Sequence, residues 1–106
     1  MKTAAAANRF ASLGHELRLE LFRVLVQAGD DGLAVGELQS LVDRPASTVA
    51  FHLGELVDTE LVRQEKEGRV IRCRANFAAL NELVLYLQYN CCRGVSLPAL
   101  NRLVAS

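Results

Sequence analysis

Two groups of side chains in this 106-residue sequence have the types and spacing to do chemistry. The first is a thiol group. Cys91 and Cys92 are adjacent, and Cys73 stands alone upstream. Neighbouring cysteines do not easily form an unstrained disulfide, because the peptide between them would leave its preferred geometry. Their sulfurs can instead reach one large soft ion, since thiolates favour soft acceptors. The same pair also reads as two small apolar residues in an interface, or as thiols open to oxidation. The second group is cationic. Residues 63–74 hold Arg63, Lys66, Arg69, Arg72 and Arg74 against only Glu65 and Glu67. Such a segment suits phosphate, whose contacts are electrostatic and weaken as salt rises. Upstream stand Arg44, Ser47, Thr48, Phe51 and His52, beside Glu55 and Asp58. Hydroxyls, a guanidinium and an apolar ring can read base edges and thymine methyl groups. Ser47 and Thr48 can equally do no more than start and solvate a helix. His52, beside Leu53, also reads as a structural histidine. Arg69 is either a minor-groove contact or a solvated turn residue.

Apolar periodicity supplies the elements that must hold these groups. Residues 4–13 read as a first helix, broken at Gly14. The clearest helix covers 16–28, with Leu17, Leu21, Val24, Leu25 and Ala28 on one face and Glu16, Glu20, Arg23 and Gln27 on another. Gly29 stops it, and residues 30–32 form a loop. A short helix over Val35–Val42 buries Leu38, Leu41 and Val42. After the turn Asp43-Arg44-Pro45, with proline suited to a first helical turn, another helix runs to about Asp58. Its inner face carries Val49, Leu53, Leu56 and Val57; its outer face carries Ser47, Thr48, Phe51 and Glu55. Two helices around so tight a turn are a helix-turn-helix candidate. Leu61–Glu65 and Val70–Ala75 are β-prone, and Lys66-Glu67-Gly68-Arg69 between them forms a hairpin tip with glycine at positive φ. Residues 77–92 return to helix. Leu80, Leu83, Val84 and Leu87 form one stripe, while Leu85, Tyr86 and Tyr89 fill other sides. A helix apolar nearly all round needs covering on more than one side, and here the second cover is another subunit. Tyr86 and Tyr89 read as packing between subunits. Ser96 can cap a last short helix carrying Leu97, Leu100, Leu103 and Val104.

Composition narrows the classes. Twelve Lys plus Arg balance twelve Asp plus Glu, and 51% of residues are hydrophobic. That apolar fraction excludes a disordered chain. No block of like charge marks a basic tail, and no apolar run reaches the roughly 18–20 residues of a membrane span. Three cysteines are too few and too odd for a disulfide framework. No secretory signal is visible, so a reducing cytoplasm is the expected compartment. No nucleophile–base set or phosphate loop points to an enzyme. The length fits one domain over 1–106.

A helix-turn-helix followed at once by a hairpin is a winged helix-turn-helix, a mainly α fold with a β-hairpin wing. The segments Leu13-Gly14-His15-Glu16-Leu17-Arg18-Leu19 and Thr48-Val49-Ala50-Phe51-His52-Leu53 resemble the opening and recognition-helix signatures of the ArsR/SmtB (arsenic-repressor) family. Leu61-Val62, Gly68-Arg69 and the helix over 77–92 follow at the family's spacing, so the resemblance covers roughly residues 8–92. It implies a homodimeric repressor, joined through its N-terminal helix and the helix at about 77–92. It implies an operator DNA with an imperfect inverted repeat, its half-sites about 34 Å apart. The expected DNA contacts are Arg44, Ser47, Thr48, Phe51, His52, Arg63, Lys66, Arg69 and Arg72. Ala50 stands where the family commonly has serine, and it removes one hydrogen-bond donor to phosphate. The family's metal positions are mostly unfilled here. Ala34–Leu38 holds no thiol, and residues 77–92 hold Glu82 but no His or Asp, so no zinc site is expected. The vicinal pair Cys91/Cys92 resembles that of arsenic-responsive members, which makes trivalent arsenic, an organoarsenical or antimonite the expected inducer. Two thiolates suit an arsenical that already bears one carbon substituent; inorganic arsenite needs a third donor. Cys73 reads as a small β-face residue rather than that donor. A thiol redox switch on the same scaffold and a winged-helix interaction module remain the alternatives.

Overall fold

The computed structural model describes residues 1–95. The helix expected after Ser96 lies outside the described residues. In chain order the elements are α1 (Thr3–Leu13), α2 (Glu16–Ala28), a 3-10 turn (Gly29–Asp31), β1 (Leu33–Ala34), α3 (Val35–Val42), α4 (Ala46–Asp58), β2 (Val62–Glu67), β3 (Val70–Ala75) and α5 (Phe77–Gln88).

Local chemistry explains where the helices start and stop. His15 precedes α2, and its Nδ1 accepts the Leu17 N–H at 3.2 Å, satisfying an amide that the helix itself leaves unpaired. Glu37 reaches back to the Ala34 N–H at 2.9 Å and closes the start of α3. Asp43, left-handed at φ 51°, ends α3 and opens the tight turn. Pro45 stands just before α4 rather than inside its first turn, with φ −56° and ψ 146°. At the far end, the Thr59 hydroxyl donates to the Glu55 and Leu56 carbonyls, and Glu60 turns the chain at φ 65°.

The core lies between α2, α3, α4 and the sheet. Leu21, Leu25, Leu38, Val49, Leu53, Leu56 and Leu61 are fully buried there, joined by Phe22 and Cys73. Leu41 corrects the expectation for α3: it is 63% exposed, because this two-turn helix directs only Leu38 and Val42 inward.

The sheet has the antiparallel order β1-β3-β2. The third strand, β1, pairs Leu33 with Cys73 and Ala34 with Arg72. Gly32 makes this pairing possible, since an added Cβ would overlap the Cys73 carbonyl and its φ is 62°. The β2–β3 register puts Val62, Gln64, Cys73 and Ala75 on the face toward the helices. Arg63, Glu65 and Glu67 share the opposite face with Arg74, Arg72 and Val70. The wing turn is the two-residue Gly68-Arg69, with Gly68 at φ 63°, so β2 runs two residues further than expected while β3 keeps its expected bounds.

α5 ends at Gln88, short of the expected residue 92, and Tyr89–Arg93 turn away with Asn90 and Cys92 at positive φ. Within the chain only Ala79 and Leu83 of α5 are buried. Val84, Leu85, Leu87 and Tyr89 are exposed, the last at 76%. α5 rests on α1, where the Thr3 and Tyr86 hydroxyls share a hydrogen bond.

Candidate functional site

α4 carries the expected reading surface. Ser47, Ala50 and Phe51 are exposed on it, and Thr48 is half-buried. Arg44 is exposed in the turn before α4, with Nη1 donating to the Val42 and Asp43 carbonyls. His52 departs from the expected set of surface contacts. It is only 9% exposed, because its place on α4 points it at the start of α2. Its ring lies 4.4 Å from that of His15 and meets Phe51 edge-on at 5.2 Å. Burial, reinforced by His15 and Arg18, holds the His52 imidazole below its ordinary value, with Glu55 opposing. In this place the ring packs edge-on beside Phe51 rather than standing on the exposed face of α4.

The wing divides its five cations. Arg63, Lys66 and Arg69 are exposed along β2 and at the turn. Arg63 also donates to Asn76 Oδ1 at 3.3 Å. Arg72 is engaged elsewhere than expected: Nε lies 2.8 Å from Glu67, and Nη1 donates to the Asp31 carbonyl. Arg74 contacts Glu65 and Glu67 and donates to the Asp30 carbonyl at 2.9 Å. These two arginines tie the sheet to the 3-10 turn, and their hydrogen bonds hold the Glu67 carboxyl below its ordinary range. Among the described residues, Lys66 and Arg69 make no ion pair.

Cys91 and Cys92 lie beyond α5, both exposed, with their Sγ atoms 3.2 Å apart. The Cys91 N–H still donates to the Gln88 carbonyl, and Cys92 takes φ 64°. Cys73 is buried in the sheet, where desolvation pushes its thiol up and Gln64 donates to it at 3.5 Å. Among the described residues no group of three or more His, Cys, Asp and Glu is placed to hold a metal ion.

Sequence reasoning missed Arg9. Only 12% exposed, its guanidinium contacts Glu60 at 3.3 Å and Glu82 at 3.2 Å and donates to the Ala79 carbonyl. One side chain thereby links α1, α5 and the turn that ends α4. Its partners lie 51 and 73 residues away, so no local pattern announces it.

Known proteins match this arrangement. A helix-turn-helix domain model matches residues 13–65. No curated protein sequence matches the chain. Among solved structures, the chain is similar to an ArsR-like transcriptional regulator from Rhodococcus sp. RHA1, at 29% identity and TM-score 0.74, over 96% of this chain and 88% of that one. It is similar to the transcriptional repressor BigR from Xylella fastidiosa, at 27% identity and TM-score 0.62, over 78% and 84%. It is also similar to the AntR antimony-specific transcriptional repressor, at 29% identity and TM-score 0.60, over 74% and 70%. Among the described residues no helix is long and apolar enough to cross a membrane. With a helix-turn-helix match over half its length, a wing directly after it and these regulators as structural neighbours, the chain belongs to the ArsR/SmtB family of winged helix-turn-helix, DNA-binding transcriptional regulators, which are not enzymes.

Proposed function

We propose that this regulator is a homodimeric repressor, released from its operator when a trivalent arsenical or antimonite binds Cys91 and Cys92. The observation that carries the reading is the exposed thiol pair with sulfurs 3.2 Å apart. At a thiolate bond of about 2.3 Å, sulfurs at that spacing subtend roughly 90° at a shared ion. A trivalent arsenic or antimony centre, pyramidal around its lone pair, suits this angle better than the ~109° of tetrahedral zinc. Two thiolates fill two of its three positions, which favours an arsenical that brings one carbon substituent of its own. The likeness to an antimony-specific repressor agrees with a soft trivalent ligand.

The exposed apolar residues of α5, next to α1, form the surface that a second copy would cover. Two recognition helices then face successive major grooves of an imperfect inverted repeat. Arg44, Ser47, Thr48 and Phe51 lie at the base edges; Arg63, Lys66 and Arg69 meet phosphate and the minor groove. The whole chain acts as a single domain. Ligand at the end of α5 shifts the two halves and lowers DNA affinity. Linkage makes the effect reciprocal, so operator DNA weakens ligand binding by the same factor, typically 5- to 150-fold.

The test titrates the reduced protein on its own upstream DNA with arsenite, a trivalent methylarsenical, antimonite and zinc, beside Cys91→Ser/Cys92→Ser. Release by a thiophile that the variant ignores is the expected result. Tight DNA binding indifferent to every ligand would return the thiols to packing or to redox chemistry, which mass spectrometry after mild peroxide identifies. A monomer at micromolar concentration would remove the dimeric reading.

A further inference from the structure

The outer face of α4 is built unlike a hydrogen-bonding reader. Ser47, Ala50, Phe51 and Gly54 follow at helical spacing along it. None is an arginine, asparagine or glutamine able to grip a base with two hydrogen bonds. Phe51 instead stands 62% exposed. The ring is nonetheless braced, edge-on against buried His52, which in turn packs on His15. On either side of it the helix is kept low. Glycine is unfavourable inside a helix, yet a Cβ at Gly54 would meet no atom within 4 Å, so packing within the chain does not call for glycine. Ala50 is similarly small and exposed. A protruding rigid aromatic ring flanked by small residues fits a partner that approaches the helix closely and offers apolar points. In a major groove those points are the C5-methyl groups of thymine.

We infer that Phe51 is a specificity-determining side chain of this regulator, reading thymine methyl groups by apolar contact while Ala50 and Gly54 clear the approach, beside the base-edge contacts proposed for Arg44, Ser47 and Thr48. The inference rests on the proposed placement of α4 in the major groove. It makes His52 and His15 positioning residues for Phe51. It also makes base selection independent of salt, unlike the phosphate contacts of the wing.

The experiment selects binding sites for the full chain from a randomised duplex library. Each thymine of the selected half-site is then replaced singly by deoxyuridine, which lacks only the methyl group. Affinity is measured at fixed salt for the wild type, Phe51→Ala and Ser47→Ala. In the wild type, one or two thymines per half-site should each cost about fourfold on replacement, the worth of one buried methyl group. That penalty should vanish in Phe51→Ala, persist in Ser47→Ala and leave the salt slope unchanged. The exposed position of Phe51 keeps the fold of Phe51→Ala intact, which an unchanged Tm verifies. Specific binding indifferent to uracil, or a uracil penalty that survives in Phe51→Ala, overturns the inference and leaves the repressor reading standing. Failure to bind any DNA overturns both.

Discussion

The wing and the recognition helix are neighbours built on opposite principles. The wing's outer face is dense with charge, and much of that charge is internally matched: Glu65 and Glu67 engage Arg72 and Arg74. Lys66 and Arg69, at its tip, make no ion pair among the described residues. The stripe of α4 through exposed Ser47, Ala50 and Phe51 and half-buried Gly54 carries no charge at all. Counting cations along the sequence therefore overstates what the wing offers a phosphate, and counting charges on α4 understates what that helix can read. On the proposed reading, affinity and selectivity fall to different elements, and they should respond differently to salt.

The most severe way to break the contrast is to remove what both regions share. Leu53 is fully buried on the inner face of α4, and Leu53→Ala should cost about 2–5 kcal/mol of stability, through lost burial plus the cavity left behind. Urea denaturation reads this as a lower midpoint at constant slope. A smaller change would sharpen the contrast instead. Lys66→Ala/Arg69→Ala should weaken binding to every DNA sequence alike and lower the log–log salt slope by about 0.9 for each phosphate contact removed. Arg72→Ala should leave that slope unchanged, since Arg72 faces Glu67 and the Asp31 carbonyl; titrations at several salt concentrations decide between them.

The smallest effect is on pH. His52 has its folded-state pKa held below the ordinary value of 6.5, so the unfolded chain takes up its proton more readily than the folded one. Stability from this ring is complete above about pH 6.5 and declines as pH falls through the folded-state value. Denaturation midpoints at pH 7.5, 6.5 and 5.5 should fall on the acid side, and His52→Gln should flatten that fall. A midpoint independent of pH, or one that rises on acidification, would contradict the neutral, buried ring.

Much of the fold was legible because it is written locally. The periods over 16–28 and Val35–Val42, each punctuated by a turn signal, match α2 and α3 residue for residue. β1 was missed because two residues carry no period; it exists through the close approach at Gly32. The end of α5 was misread because the apolar stripe continues through Tyr89, although Asn90, a residue that tolerates left-handed φ, held the signal. The candidate contacts were legible as residue types, and His52 also as a structural histidine, but their partners were not. His52 is buried by His15, and Arg72 is claimed by Glu67. Such pairings come from register and packing, which spacing along the chain does not reveal.

The early stop of α5 has its own consequence for the thiols. Successive residues of an α-helix point about 100° apart, so side chains as short as cysteine do not face each other there. Had α5 continued through residue 92, Cys91 and Cys92 would diverge. Because it stops at Gln88 and Cys92 takes a left-handed conformation, the two sulfurs converge. The convergence of the thiols is thus made by where the helix ends rather than by cysteine content alone. A lineage could gain or lose it by lengthening or shortening one helix by a turn, with every thiol still in place.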